Sequence, residues 1–197
     1  MATALLSPPR SRLYRPLFLL AAGLLGLNVA AGFIFYLQQH RQLPWIHSNL
    51  YLTEADAAYE RGDFPTAMAQ YRKITVLDRG DFQARVRLGM AAAAAGRTDE
   101  ALAAFDHALA INPACGDCRH RKGIIYLTEW WRGDAVAELA AAAALTPGDA
   151  ALWSDLGVAR VKAGDRAGAR EAFIRALTVA PSLRSAQENL ARLEGGA

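Results

Sequence analysis

Two arrangements of apolar and polar positions divide the chain. Pro16 to Leu37 runs for 22 residues without a charged side chain. From Ser48 onward the apolar positions are interrupted at helical spacing, as in helices that bury one face. Tyr51, Ala55 and Ala58 mark a first helix, Arg61-Gly62-Asp63 a turn, and Ala67, Tyr71 and Ile74 a second helix. The pattern then repeats. Ala67, Ala101, Ala135 and Ala169 fall 34 residues apart, as do Gly89, Gly123 and Gly157, and Pro113, Pro147 and Pro181. Ile74 is followed at the same step by Ala108, Ala142 and Ala176, and Tyr71 by Phe105, Leu139 and Phe173.

A period of this length with small, aromatic and proline columns resembles the tetratricopeptide repeat. The resemblance covers residues 48–194. It implies an all-α, right-handed α-solenoid of about four helical hairpins, with units at 48–81, 82–115, 116–149 and 150–183. Arg184 to Glu194 reads as a capping helix with a polar outer face. One hairpin cannot bury its own apolar face, so several must stack. In this register Gly89, Gly123 and Gly157 remove bulk where the two helices of a unit touch. Tyr71, Phe105 and Phe173 are expected to fill the space between consecutive units. Trp130 stands where the family's turn has glycine, which predicts a differently shaped turn there.

The uncharged run reads as a single transmembrane helix. At about 1.5 Å per residue it spans about 33 Å, enough for a bilayer core. It is longer than the apolar core of a cleaved signal peptide and has a poor cleavage site at Asn28-Val29-Ala30. A basic tail, residues 1–15, precedes it. A polar connector, residues 38–47, follows, in which Pro44 breaks any continuous helix. Arg10, Arg12 and Arg15 before the span outnumber Arg41 after it, which places the N-terminus in the cytoplasm and the repeats outside, in the periplasm of a bacterium. Ala22, Gly26 and Ala30 follow a step of four, and Asn28 adds a polar group at mid-span. Together they predict packing against a partner transmembrane helix.

Charge narrows the partners. The net charge is +3, but the first 40 residues hold three Arg and no acid, leaving 19 basic and 19 acidic residues in the remainder. No basic face for nucleic acid is expected. No phosphate-binding glycine loop, metalloprotease helix or nucleophile elbow is present, so neither catalysis nor a cofactor is expected. What the family resemblance implies instead is a concave groove, lined by the first helices, that binds a client protein or peptide. Its residues here would be Tyr59, Arg87, Met90, His120, Arg121, Ile124, Leu127, Asp155, Val158 and Lys162, with Val86 and Ser154 beside them. One subclass of the family grips terminal carboxylates through Lys, Asn and Arg. Of the matching positions Leu52, Asp56, Arg87, Asp117 and Arg121, only Arg121 fits it.

Cys115 and Cys118, the only cysteines, fall in the turn between the second and third units. Three readings stand for them: a structural disulfide or two inert thiols, a redox-active pair, or part of a metal site. The main functional expectation is therefore a membrane-anchored scaffold or assembly factor, or a subunit of a membrane complex. The alternative is a thiol-redox or cofactor-maturation chaperone, similar to those of cytochrome c assembly, that uses Cys115 and Cys118.

Overall fold

The computed structural model describes residues 44–195, with side chains from Leu50 onward. The expected span at 16–37, with Ala22, Gly26, Asn28 and Ala30, lies outside the described residues. Among the described residues no helix is long and apolar enough to cross a membrane. The chain divides into two compact units, 1–46 and 47–197, and the helical array belongs to the second.

Every element among the described residues is a helix. They are α1 (Pro44–Glu60), α2 (Phe64–Leu77), α3 (Phe82–Ala94), α4 (Thr98–Ile111), α5 (Gly116–Thr128), α6 (Arg132–Leu145), α7 (Ala150–Ala163), α8 (Arg166–Val179) and α9 (Arg184–Glu194). The contacts run α2 to α3, α3 to α4 and onward to α9, so each hairpin stacks on the next. That is the layout of a solenoid. α1 starts at Pro44, inside the expected connector. Proline suits a first turn, where the missing N–H has no helical acceptor.

The columns have distinct physical roles. Asp81 and Asp149 cap α3 and α7 by accepting from the backbone N–H of Ala84 and Leu152, at 2.8 and 3.1 Å. Asp63 and Asp165 do the same for α2 and α8, at 3.2 and 2.8 Å. A carboxylate at this position satisfies a donor that the helix leaves open. The glycine column closes each hairpin. A Cβ on Gly89 would lie 2.7 Å from the Phe105 ring, and one on Gly123 would lie 2.5 Å from Leu139. Gly157 meets Phe173 in the same way. These bulky side chains thus meet the glycine of their own unit, and Phe173 also joins Leu193 of the following helix in one buried group. The chain places the largest side chain of the second helix where the first helix has none.

The four turns within units share one conformation. Gly62, Gly96 and Gly164 have φ of 77°, 71° and 85°, and Trp130 has φ of 65°. In each, the following N–H donates across the helix end: Asp63 to Ala58, Arg97 to Ala92, Trp131 to Tyr126 and Asp165 to Arg160, all at 2.9 Å. This bond belongs to the left-handed helix terminus that glycine favours. The third turn thus keeps the common shape, and Trp130 is held in a backbone region that glycine occupies elsewhere.

Buried apolar residues fall into three groups. The largest runs from Ala55 to Cys118, the second from Leu127 to Ala172, and the third joins Ala169 and Phe173 to Leu193 of α9. α9 buries Ala186 and Leu193 and presents polar residues outward, so it closes the end of the stack.

Candidate functional site

The first helices of the units bring their groove residues together around two adjoining cavities. One, about 430 Å³, is lined by Asp56, Tyr59, Glu60, Tyr71, Gln83, Val86, Arg87, Met90 and Asp117. The other, about 350 Å³, is lined by Tyr59, Met90, Ala93, Ala94, Phe105, Asp117, His120, Arg121, Ile124 and Ile125. Tyr59, Met90 and Asp117 border both, so the two form one continuous trough across the first three units. Tyr59 is fixed by an edge-on contact with Phe64 (centroids 5.5 Å apart).

Most charges along the trough are neutralised by neighbours. The Asp56 carboxylate accepts from the Tyr71 hydroxyl at 2.6 Å and forms an ion pair with Arg87 of the next unit. Burial alone would raise the Asp56 carboxyl, but the bonds from Arg87 and Tyr71 outweigh it and hold it below the usual carboxylate range. The same arrangement pushes the Tyr71 hydroxyl well above its ordinary value, through burial first and the Asp56 carboxylate second. Arg121 donates to Asp117 at 2.8 Å, one helical turn away. His120 Nε2 meets Asp155 of the fourth unit at 2.7 Å. That bond raises the imidazole above its ordinary value, partial burial works against it, and the charges of Asp155, Asp149 and Asp117 add to the rise.

The remaining expected groove residues separate. Leu127 is a correction: it is only 8% exposed and belongs to the second core group. Its column mate Ala93 is exposed and lines the second cavity, but at Leu127 the helix turns a larger side chain inward. Val158 is half-buried against the third core group. Lys162 is exposed, with Nζ 5.3 Å from the centre of the Trp130 ring. Val86 lines the first cavity but is largely buried, and Ser154 is buried with its hydroxyl 3.5 Å from Ser185.

Two arrangements are not visible in the pattern of a single unit. Asp56 reads there as a repelling charge and Tyr71 as packing, yet both join Arg87 in one network. Lys122 is 6% exposed and donates to Asp106 of α4 and Glu138 of α6, at 2.6 and 2.9 Å. Glu138 also accepts from Arg119 at 3.1 Å. Burial would lower the Lys122 ammonium, but the two carboxylates more than reverse it. A usable signal does exist. Asp56 and Arg87 are 31 residues apart, and His120 and Asp155 are 35. Separations near one period join equivalent faces of successive first helices.

Cys115 and Cys118 are bonded to each other, with Cα atoms 5.3 Å apart. Cys115 holds the column of the capping aspartates, Asp81 and Asp149, and its Sγ accepts from the Cys118 N–H at 3.0 Å. Cys118 holds the buried column of Ala84, Leu152 and Ala186 and is itself buried. The pair thus staples the start of α5, where other units use a hydrogen bond alone. Among the described residues no three His, Cys, Asp or Glu side chains converge to hold a metal.

A family model for the tetratricopeptide repeat matches residues 52–114, the first two units. Over those residues the chain matches the repeat, and the same paired-helix layout continues to α9. Solved structures share this architecture. A crystal structure of MamA superposes with TM-score 0.71 at 19% identity, covering 76% of this chain and 82% of that one. MamA from residue 41 to its end, from Desulfovibrio magneticus RS-1, gives 0.71 at 23%, covering 76% and 84%. PilF of Pseudomonas aeruginosa gives 0.66 at 19%, covering 76% and 68%. At these identities the likeness establishes the fold. No curated protein matches the sequence.

Proposed function

We propose that this chain is a membrane-tethered scaffold or assembly factor whose concave trough holds a segment of a client protein. In this reading residues 16–37 cross the bilayer once, the N-terminus stays in the cytoplasm and the repeat array works on the other side. Ala22, Gly26, Asn28 and Ala30 would meet a partner span. The observation that carries the client reading is the joining of two cavities through Tyr59, Met90 and Asp117. The trough's charged pairs satisfy one another, which leaves Tyr59, Met90 and Ile124 to contact apolar side chains of a client. Such a surface selects by shape and apolar anchors more than by net charge. The buried Cys115–Cys118 pair presents no thiol to a client, which favours scaffolding over thiol chemistry.

The test is purification of the tagged full chain from detergent-solubilised membranes. The wild type is expected to retain a client in fixed ratio, and the Met90→Lys/Ile124→Lys variant to lose it while keeping its helical circular dichroism. Equal recovery by both would remove the trough from the account. Alkaline carbonate extraction tests the tether: the full chain should stay with the membrane pellet, and release of the intact chain would refute it.

A further inference from the structure

The third turn is built against two preferences at once. Its left-handed backbone suits glycine, yet it holds Trp130, and that side chain is 66% exposed. Exposed left-handed backbone with a bulky residue is a conformation that the fold must hold in place, and such outliers concentrate at functional positions. Trp131 follows, 47% exposed, with its ring 5.5 Å from that of Tyr126. Neither indole adds to the core.

The charges around Trp130 are unlike those of the trough. Arg132 and Lys162 approach its ring at 5.5 and 5.3 Å, and among the described residues neither pairs with a carboxylate. Glu129, the nearest acid in sequence, is turned toward Thr98 of the preceding unit at 3.1 Å. An exposed indole with two unneutralised cations over its ring therefore calls for an apolar group and an anion side by side. The link to the trough runs through Lys162. Lys162 stands in the column of Glu60 and Ala94, which line the two cavities.

We propose that Trp130 is the anchor at the far end of the trough for a client segment in which an acidic residue neighbours an apolar one. The apolar side chain stacks on the indole, and the carboxylate meets Arg132 and Lys162. This rests on the trough being the client site. Position favours a peptide over a lipid surface: Lys162 shares the column of Glu60 and Ala94, which line the trough.

The test uses the full chain in detergent, a random dodecapeptide library displayed on phage, and the variant Trp130→Gly. Peptides selected on the wild type should pair Asp or Glu with an apolar neighbour. As synthetic peptides they should lose about tenfold or more in affinity for Trp130→Gly, the usual loss when an aromatic anchor is truncated. Arg132→Ala/Lys162→Ala should weaken the same peptides. Trp130→Gly should meanwhile melt about 2–4 °C higher than the wild type, because glycine relieves the backbone. A lower melting temperature would make the indole a structural element and overturn the proposal. Peptides lost by Met90→Lys/Ile124→Lys but indifferent to Trp130→Gly would leave the trough standing and remove the anchor. Selection of nothing sensitive to either variant would remove both. Trp130-dependent sedimentation with equimolar phosphatidylglycerol–phosphatidylcholine vesicles would overturn the peptide assignment in favour of a lipid surface.

Discussion

Gly157 and Phe173 meet so closely that a methyl group on the glycine would enter the phenyl ring. The same relation joins Gly89 to Phe105 and Gly123 to Leu139. It fixes how near the two helices of a unit stand, and the trough inherits its curvature from that spacing. Gly157→Ala should therefore destabilise the protein by about 1–3 kcal/mol through overpacking. Gly133→Ala offers the control, since nothing stands near its added methyl. It is the second residue of α6, short of the helix interior, and should gain at most about 0.5 kcal/mol. Chemical denaturation followed by circular dichroism checks both signs.

The staple at the start of α5 should be replaceable. A disulfide closing so short a loop stabilises by about 2 kcal/mol in the chain-entropy account. Cys115→Ser/Cys118→Ser should lose roughly that amount, and the Ser at 118 adds the cost of a buried hydroxyl. Cys115→Asp/Cys118→Ala copies the residues of the second unit, Asp81 and Ala84. It should recover about 1 kcal/mol of the loss through the capping bond. Thermal melts of the three proteins under oxidising and reducing conditions test this, and the Asp/Ala protein should ignore the reductant.

His120 and Asp155 tie the third unit to the fourth, and the tie depends on charge. The folded imidazole titrates above its unfolded value of about 6.5. Its contribution is therefore complete below that value and is lost as pH rises through the folded one. His120→Gln should reduce stability most in mildly acidic buffer, and the gap from the wild type should narrow as pH rises. A gap that stays constant across pH would contradict the pairing. Asp56 has the opposite sign: its folded carboxyl is depressed, so its contribution is present above about 3.9 and lost as pH falls through the folded value.

Lys122 is the costly buried charge. Lys122→Ala leaves Glu138 half enclosed with only Arg119 beside it, and should destabilise by about 3 kcal/mol. Lys122→Met/Glu138→Gln removes charge from both sides and should lose less than the single change. Urea titrations of the two variants decide the order.

The fold was largely legible because a period in sequence maps directly onto stacked geometry. The glycine and alanine columns and the final helix all follow from the spacing. The site was legible in part. Tyr59, Met90, Arg87, His120, Arg121 and Ile124 do line one trough, because first-helix residues at equivalent positions share a face. Leu127 failed because a column fixes a direction but not how deep a larger side chain sinks. The Trp130 turn failed because propensity argued for a new conformation, whereas the neighbouring hydrogen bonds imposed the common one. The partners of Asp56 lie on different helices, one within its own unit and one in the next, beyond what a single-unit reading can see.

Lys122 and its two carboxylates lie between the core group that ends at Cys118 and the one that begins at Leu127. The oily interior is thus partitioned by an ionic wall in the middle of the array. In a stack held by nearest-neighbour contacts, such a wall lets the two halves loosen separately. The trough lies against the first of these core groups, so an occupant would steady that half and leave the other to loosen as before.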